Sequence, residues 1–233
     1  MGEHDVDVYE KARGIWSNVL QINEADPQHT FTPSLDRPFV TLTFAQSIDS
    51  KIAVRLSVNS ENVRYPQPII LDNNLNFPLD CKLLQMPLVD KKCHYPWIIT
   101  KSSSCLKKKA ELEAKGAIVI LVDNEYCDVN SGLPKLTHIL RVLKDKGISK
   151  LMVEGGATII QQFINAHYIE KSNVVDAVAI TIAPVFVGSG GLGVSDNLTS
   201  RSSEAVDTIK LFQNNYYERF GDDIVVAGRT CAL

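Results

Sequence analysis

Short apolar runs closed by polar residues set the rhythm of the chain. FVTLTFA (39–45) is rich in β-branched and aromatic residues, alternates, and predicts a strand. PIILD (68–72), PWIIT (96–100) and AIVILVD (117–123) have the unbroken apolar character of buried parallel strands. Between the last two, CLKKKAELEAKG predicts a helix stopped by Gly116. LTHILRVLKDKG (136–147) predicts a second helix, with Leu136, Ile139, Leu140 and Leu143 on one stripe and Gly147 as its stop. KLMVEGG (150–156) reads as a strand, an acid and a double glycine, and ATIIQQFINAHY as a further helix. AVAITIAPVFVG (177–188) predicts one long strand with a proline inside, and YYERFGDDIVVAGRT two strands around a Gly221-Asp222-Asp223 turn. Strands alternating with helices and closing on an antiparallel pair predict an α/β sheet with mixed edges. Ahead of this pattern, VYEKARGIWSNV (8–19) has helical spacing at Val8, Ala12, Ile15 and Val19, and a polar stretch with three prolines leads to Arg37-Pro38. Residues 1–38 are expected to be a docked helix and an extended arm, and residues 39–233 the main domain.

Composition narrows the function classes. The 233 residues carry 24 Lys+Arg against 27 Asp+Glu, a net charge of −3. That excludes a protein that lives on neutralising nucleic-acid phosphates. With 45% hydrophobic and 22% charged residues the chain can bury a sizeable core. No apolar run approaches the roughly 18–20 residues of a membrane helix, so no membrane partner is expected. The acidic, polar start MGEHDVDVYEKARG reads as neither a signal peptide nor a transit peptide, and a cytoplasmic location is expected. Cys81, Cys93, Cys105, Cys127 and Cys231 are odd in number and widely spaced, without C-x-x-C, and read as free thiols. The five histidines form no ligand pair, and no metal site is expected.

Three segments are candidates for chemistry. In Leu151-Met152-Val153-Glu154-Gly155-Gly156-Ala157-Thr158 a strand runs through two glycines into a helix. Such a turn lets a phosphate approach the backbone and meet the helix's unpaired N–H groups. Glu154 stands at the carboxyl end of its strand, where open α/β sheets place ligands, and its carboxylate is expected to point into the site. A plain strand-to-helix turn with a solvated acid has the same composition. Gly188-Ser189-Gly190-Gly191-Leu192-Gly193 suits either a phosphate-wrapping loop or a flexible surface loop. Ala45-Gln46-Ser47-Ile48-Asp49-Ser50-Lys51 gathers a hydroxyl, a carboxylate and an ammonium at a strand end, as a substrate site or a polar turn would. Ser102-Ser103-Ser104 with Lys107-Lys108-Lys109 suits a phosphate site less well than a solvated helix start. There is no G-x-G-x-x-G, no Walker A lysine and no G-x-S-x-G.

In the order TLTFAQSIDSKIA, YPQPIILD, LMVEGGATIIQQFI and ITIAPVFVGSGG, these segments resemble one family, and the resemblance covers 39 to about 230. It is the family of riboflavin-biosynthesis reductases acting on 2,5-diamino-6-ribosylamino-4(3H)-pyrimidinone 5′-phosphate. The family includes a stand-alone fungal form and the C-terminal half of the bacterial bifunctional deaminase-reductase. The resemblance implies a dihydrofolate-reductase-like mixed, mostly parallel sheet flanked by helices. It implies NADPH as cofactor, a phosphorylated pyrimidine ribosylamine as substrate, and a homodimer, for which the long apolar strand 177–187 offers a surface. By position it assigns Gly155, Gly156, Ala157, Thr158 and Ile159 to the cofactor-binding turn, Leu133 to a cofactor contact, and Gly188, Gly190 and Gly191 to a second cofactor loop. Glu154 becomes a catalytic and substrate-binding residue. Ser47, Asp49, Lys51 and Arg55 fall to substrate binding.

One departure stands out. The family pattern has a helix, a strand with a G-x-G-T turn and an Asp-Asn-Pro stretch after the first strand, ending in an arginine. Here Ala53 runs straight into Val54-Arg55-Leu56-Ser57, with Arg55 resembling that arginine. A helix–strand segment near 53–55 is expected to be absent. The alternatives left open are a catalytically impaired or non-catalytic relative, and a related enzyme with another pterin-like or pyrimidine substrate.

Overall fold

In a computed structural model of the chain, the described residues are 34–51, 65–129, 131–194 and 213–230, with positions 11, 14, 15 and 19. Their elements run β1 (Phe39–Ser47), β2 (Ile69–Leu71), α1 (Lys82–Val89), β3 (Trp97–Lys101), α2 (Leu106–Ala114), β4 (Ile118–Val122), α3 (Leu136–Asp145), β5 (Lys150–Val153), α4 (Ala157–Ile164), β6 (Ala177–Ala183), β7 (Gln213–Phe220) and β8 (Asp223–Arg229). The chain divides into two compact units, one drawn from residues 1–57 and 143–233 and the other from 58–142.

The first unit holds a five-stranded sheet in the order β5-β1-β6-β8-β7. β5, β1 and β6 are parallel, and β8 and β7 continue antiparallel. β1 is buried at seven of its nine positions, as the central strand of a sheet covered on both faces must be. On one side Ile15, Val19, Phe39, Ala177, Ala179 and Ala227 form a cluster, so the described positions of the N-terminal segment supply core. Ile160, Phe163 and Ile164 of α4 are buried as well. At the amino end of the sheet Arg37 makes a two-pronged ion pair with Asp176, through Nη1 to Oδ2 at 2.5 Å and Nη2 to Oδ1 at 2.8 Å. Asp176 Oδ2 also accepts the Val40 N–H at 2.7 Å.

The second unit holds the three-stranded parallel sheet β2-β3-β4. Leu75, Leu84, Ile98, Leu112, Ala117 and Val119 form its core. The stop at Gly116 has a stereochemical cause. It sits at φ 95°, and a Cβ there would lie 2.4 Å from the Tyr95 ring.

The fold class is the expected one, α/β with mostly parallel strands flanked by helices. Two details differ. The strand expected over 177–188 ends at Ala183, because Pro184 has no N–H to give to a ladder. Helix α1 did not stand out in the sequence, since KLLQMPLV is short and carries Pro87 inside it. Residues 52–64, and Arg55 with them, lie outside the described residues, as does Cys231.

Candidate functional site

Three expected segments meet in the first unit, at the carboxyl ends of its parallel strands. There the strand ends leave backbone groups unpaired and loops free to shape a ligand site. Leu42 pairs with Val153, whereas Ser47 pairs with Ala183. β1 and β6 therefore continue beyond the end of β5 by five residues, roughly 16 Å along the strands at about 3.3 Å each. The site is stepped, with the double glycine on the lower step and the Ser47 turn and second glycine loop on the upper one. Gln161, buried in the second turn of α4, bridges the steps by donating from Nε2 to the Gly193 carbonyl at 3.0 Å.

On the lower step Gly156 is the N-cap of α4 in an extended conformation, with no side-chain cap. A Cβ built on Gly156 would meet nothing within 4 Å. The N–H groups of Ala157, Thr158 and Ile159 have no acceptor among the described residues, while Ile160 N donates to the Gly156 carbonyl at 3.3 Å. Three unpaired donors at the positive end of a helix, behind open space, make a place for a phosphate oxygen. Glu154 is not shielded from water as expected. It is exposed, with no hydrogen bond or ion pair among the described residues. Among the described residues β5 is an edge strand of its sheet.

On the upper step the groups are committed to one another. The buried Ser47 hydroxyl donates to Asp49 Oδ1 at 2.6 Å and accepts the Lys51 N–H at 3.0 Å. Asp49 accepts Val187 N–H on Oδ1 at 3.1 Å and Gly188 N–H on Oδ2 at 2.8 Å. The Ser47 hydroxyl is the largest effect holding the Asp49 carboxyl down to about 2; desolvation, the next largest, opposes it, and the Gly188 and Val187 amides add to the lowering. Gly191 N–H donates to the Gly188 carbonyl at 3.2 Å. A Cβ on Gly191 would come within 2.8 Å of Lys51 and Val187 side-chain atoms, so only glycine lets the loop lie this close to Lys51.

Of the three glycines expected to offer N–H groups, Gly188 and Gly191 spend theirs inside the protein. The N–H of Gly190 remains, together with that of Ser189, with no acceptor among the described residues. Ser189 and Gln161 were absent from the sequence-based set. Gln161 had a signal, a polar residue within the apolar run ATIIQQFI. Leu133 belongs to the second unit, where its carbonyl accepts the Asp128 N–H at 2.8 Å in the loop before α3. Among the described residues no group of three or more His, Cys, Asp or Glu is arranged to hold a metal ion, and no helix is long and apolar enough to cross a membrane.

The chain is 27% identical to the 2,5-diamino-6-ribosylamino-4(3H)-pyrimidinone 5′-phosphate reductase of Debaryomyces hansenii, over 219 aligned positions that take in 70% of this chain and 81% of that one. The reductase of the same name from Saccharomyces cerevisiae is 24% identical over 203 positions, taking in 68% of this chain and 77% of its own. Since 68% of 233 residues is about 158, about 45 of those 203 positions have no counterpart here. The solved structure of the Saccharomyces riboflavin biosynthesis reductase Rib7 superposes with a TM-score of 0.67 at 19% identity, covering 95% of this chain and 100% of that one. The sequence pattern of the RibD C-terminal domain matches residues 53–226. That match takes in both glycine segments and about three quarters of the chain, and on it the protein belongs to the RibD C-terminal domain family.

Proposed function

We propose that this protein is the NADPH-dependent reductase of riboflavin biosynthesis. It would convert the ribosylamino side chain of 2,5-diamino-6-ribosylamino-4(3H)-pyrimidinone 5′-phosphate to the ribitylamino form. The observation that carries the reading is the set of unpaired N–H donors at the start of α4, in a chain of this family. They fit the pyrophosphate of a dinucleotide, with Gly155, Gly156, Ala157, Thr158 and Ile159 lining it. Ser189 and Gly190 offer a second anion contact, and Leu133 is assigned to the cofactor by its place in the family pattern. When bound, the dinucleotide supplies the hydride. Glu154, solvated in the free protein, accepts hydrogen bonds from the ribosyl hydroxyls and stabilises positive charge on the opened sugar's imine. The sugar C1 gains the hydride and the protonated C=N becomes a secondary amine. Lys51 and Arg55 supply positive charge for the substrate phosphate.

The test is NADPH oxidation with the ribosylamino substrate, with the product identified as two hydrogens heavier. Glu154→Gln should lower kcat/KM about ten- to hundredfold, the value of one charge-assisted hydrogen bond. The NADPH dissociation constant should barely move. Full kcat/KM with lost NADPH affinity would overturn this division of labour.

A helix and a strand of the family pattern are absent between Ala53 and Arg55 in this reading. The roughly 45 unmatched positions support it, being the size of a helix, a strand and their connections. That no described strand pairs with the outer edge of β5 supports it too, since parallel edges are normally covered. The assay therefore includes a form with that segment restored, and turnover in neither form would end the reading. Free thiols at Cys81, Cys93, Cys105 and Cys127 support a cytoplasmic location.

We also propose a homodimer. The strand that motivated it is shorter than expected, but Val185, Phe186 and Val187 beyond it are exposed, Phe186 at 80%. Sedimentation at micromolar concentration should show twice 25.8 kDa, and a 25.8 kDa species would contradict the proposal.

A further inference from the structure

We propose that Asp49 is a positioning residue. Its carboxylate fastens the Val187–Gly188 backbone to the end of β1 and so decides which N–H groups of the second glycine loop face an anionic ligand. The proposal rests on the reductase reading for the ligand, and on geometry alone for the fastening. Asp49 is 138 residues away from Val187 in sequence, yet it takes the N–H groups of both Val187 and Gly188. The contact is part of a longer seam. Ile48 N–H donates to the Val185 carbonyl at 3.0 Å, Lys51 bridges to Gly193, and Val194 N–H reaches the Ser50 carbonyl at 3.4 Å. Ser50 is held at φ 60°, a conformation that a non-glycine residue adopts at a cost and that the seam maintains.

With two loop amides spent on Asp49 and one on the Gly188 carbonyl, Ser189 and Gly190 are the neighbouring pair left to donate. A carboxylate that filled the whole loop would exclude a phosphate. This one fills the first half and presents the second. The ligand chemistry is a phosphate oxygen, from either the dinucleotide or the substrate's 5′-phosphate.

Asp49→Asn is the informative change. It keeps one acceptor oxygen but puts an amide NH2 against a backbone N–H, which breaks one anchor. Hydrogen exchange at Val187 and Gly188, read without any ligand, should accelerate about tenfold or more. The NADPH dissociation constant or the substrate KM should rise about tenfold while kcat changes far less, and Asp49→Glu should recover part of the loss. A rise in the dissociation constant alone identifies the dinucleotide phosphate as the ligand, and a rise in KM alone the substrate's. Unchanged exchange would overturn the fastening whether or not the protein reduces the pyrimidine. Faster exchange with neither constant moved would overturn the positioning role.

Discussion

Asp176→Ala should destabilise the protein by about 3 kcal/mol, the low end of the range for breaking a largely buried ion pair. The carboxylate holds both prongs of Arg37 and the Val40 N–H, and its own backbone ties in on either side. Asp176 N–H donates to the Val40 carbonyl at 2.9 Å, and Thr230 N–H donates to the Asp176 carbonyl at 3.1 Å. Arg37 and Asp176 side chains are only 16% and 13% exposed, so the guanidinium left behind is poorly solvated. Replacing both residues should cost less than the two single changes together. Denaturant unfolding reads the effect, and a loss under about 0.5 kcal/mol would mean the pair is a surface ornament.

The same cluster sets a pH dependence. His167 is fully buried, its Nδ1 accepts the Val175 N–H at 3.0 Å, and Nε2 has no partner among the described residues. Burial pushes its pKa down to about 4, with Asp176 opposing and Arg37 assisting. The unfolded histidine takes up its proton near 6.5, well above the folded one. Between pH 6.5 and 4 the unfolded state therefore binds more protons, and stability falls as the pH falls, at up to about 1.4 kcal/mol per pH unit. His167→Gln should flatten that slope.

Gly156→Val should raise the NADPH dissociation constant about a hundredfold with little change in stability. The backbone of Gly156 is extended, which valine tolerates, and its Cβ would meet no protein atom within 4 Å. The branched side chain would instead stand before the N–H groups of Ala157, Thr158 and Ile159. Excluding one phosphate oxygen from charge-assisted hydrogen bonds costs about 1.5–3 kcal/mol. Gly155→Ala is the contrasting change. Its Cβ would come within 3.1 Å of Ile159 Cβ, so its penalty should appear in stability through a displaced α4. Dinucleotide titration of the two variants separates these effects. Unchanged affinity in Gly156→Val would remove the first turn of α4 from the cofactor site.

Much of this molecule was legible one segment at a time. Apolar runs such as IVILV, the stripe of α3 and the stops at Gly116 and Gly147 report short-range preferences, which the chain carries wherever it goes. The glycines before α4 belong to the same class, because a helix start creates unpaired N–H groups by its own geometry. Pro184 was visible too, but the strand was expected to run through it, and its missing N–H ends β6 at Ala183. What composition could not express is which groups satisfy one another across the chain. Ser47, Asp49 and the glycine loop all read as ligand contacts, yet Asp49 is closed onto Val187 and Gly188, and Gly191 onto Gly188. Glu154 read as shielded from water, and it is exposed. A hydrogen bond between residues 138 positions apart leaves no periodic trace in either segment. Only the pairing of β1 with β6 brings the two loops to one end of the sheet and decides which donors remain for a ligand.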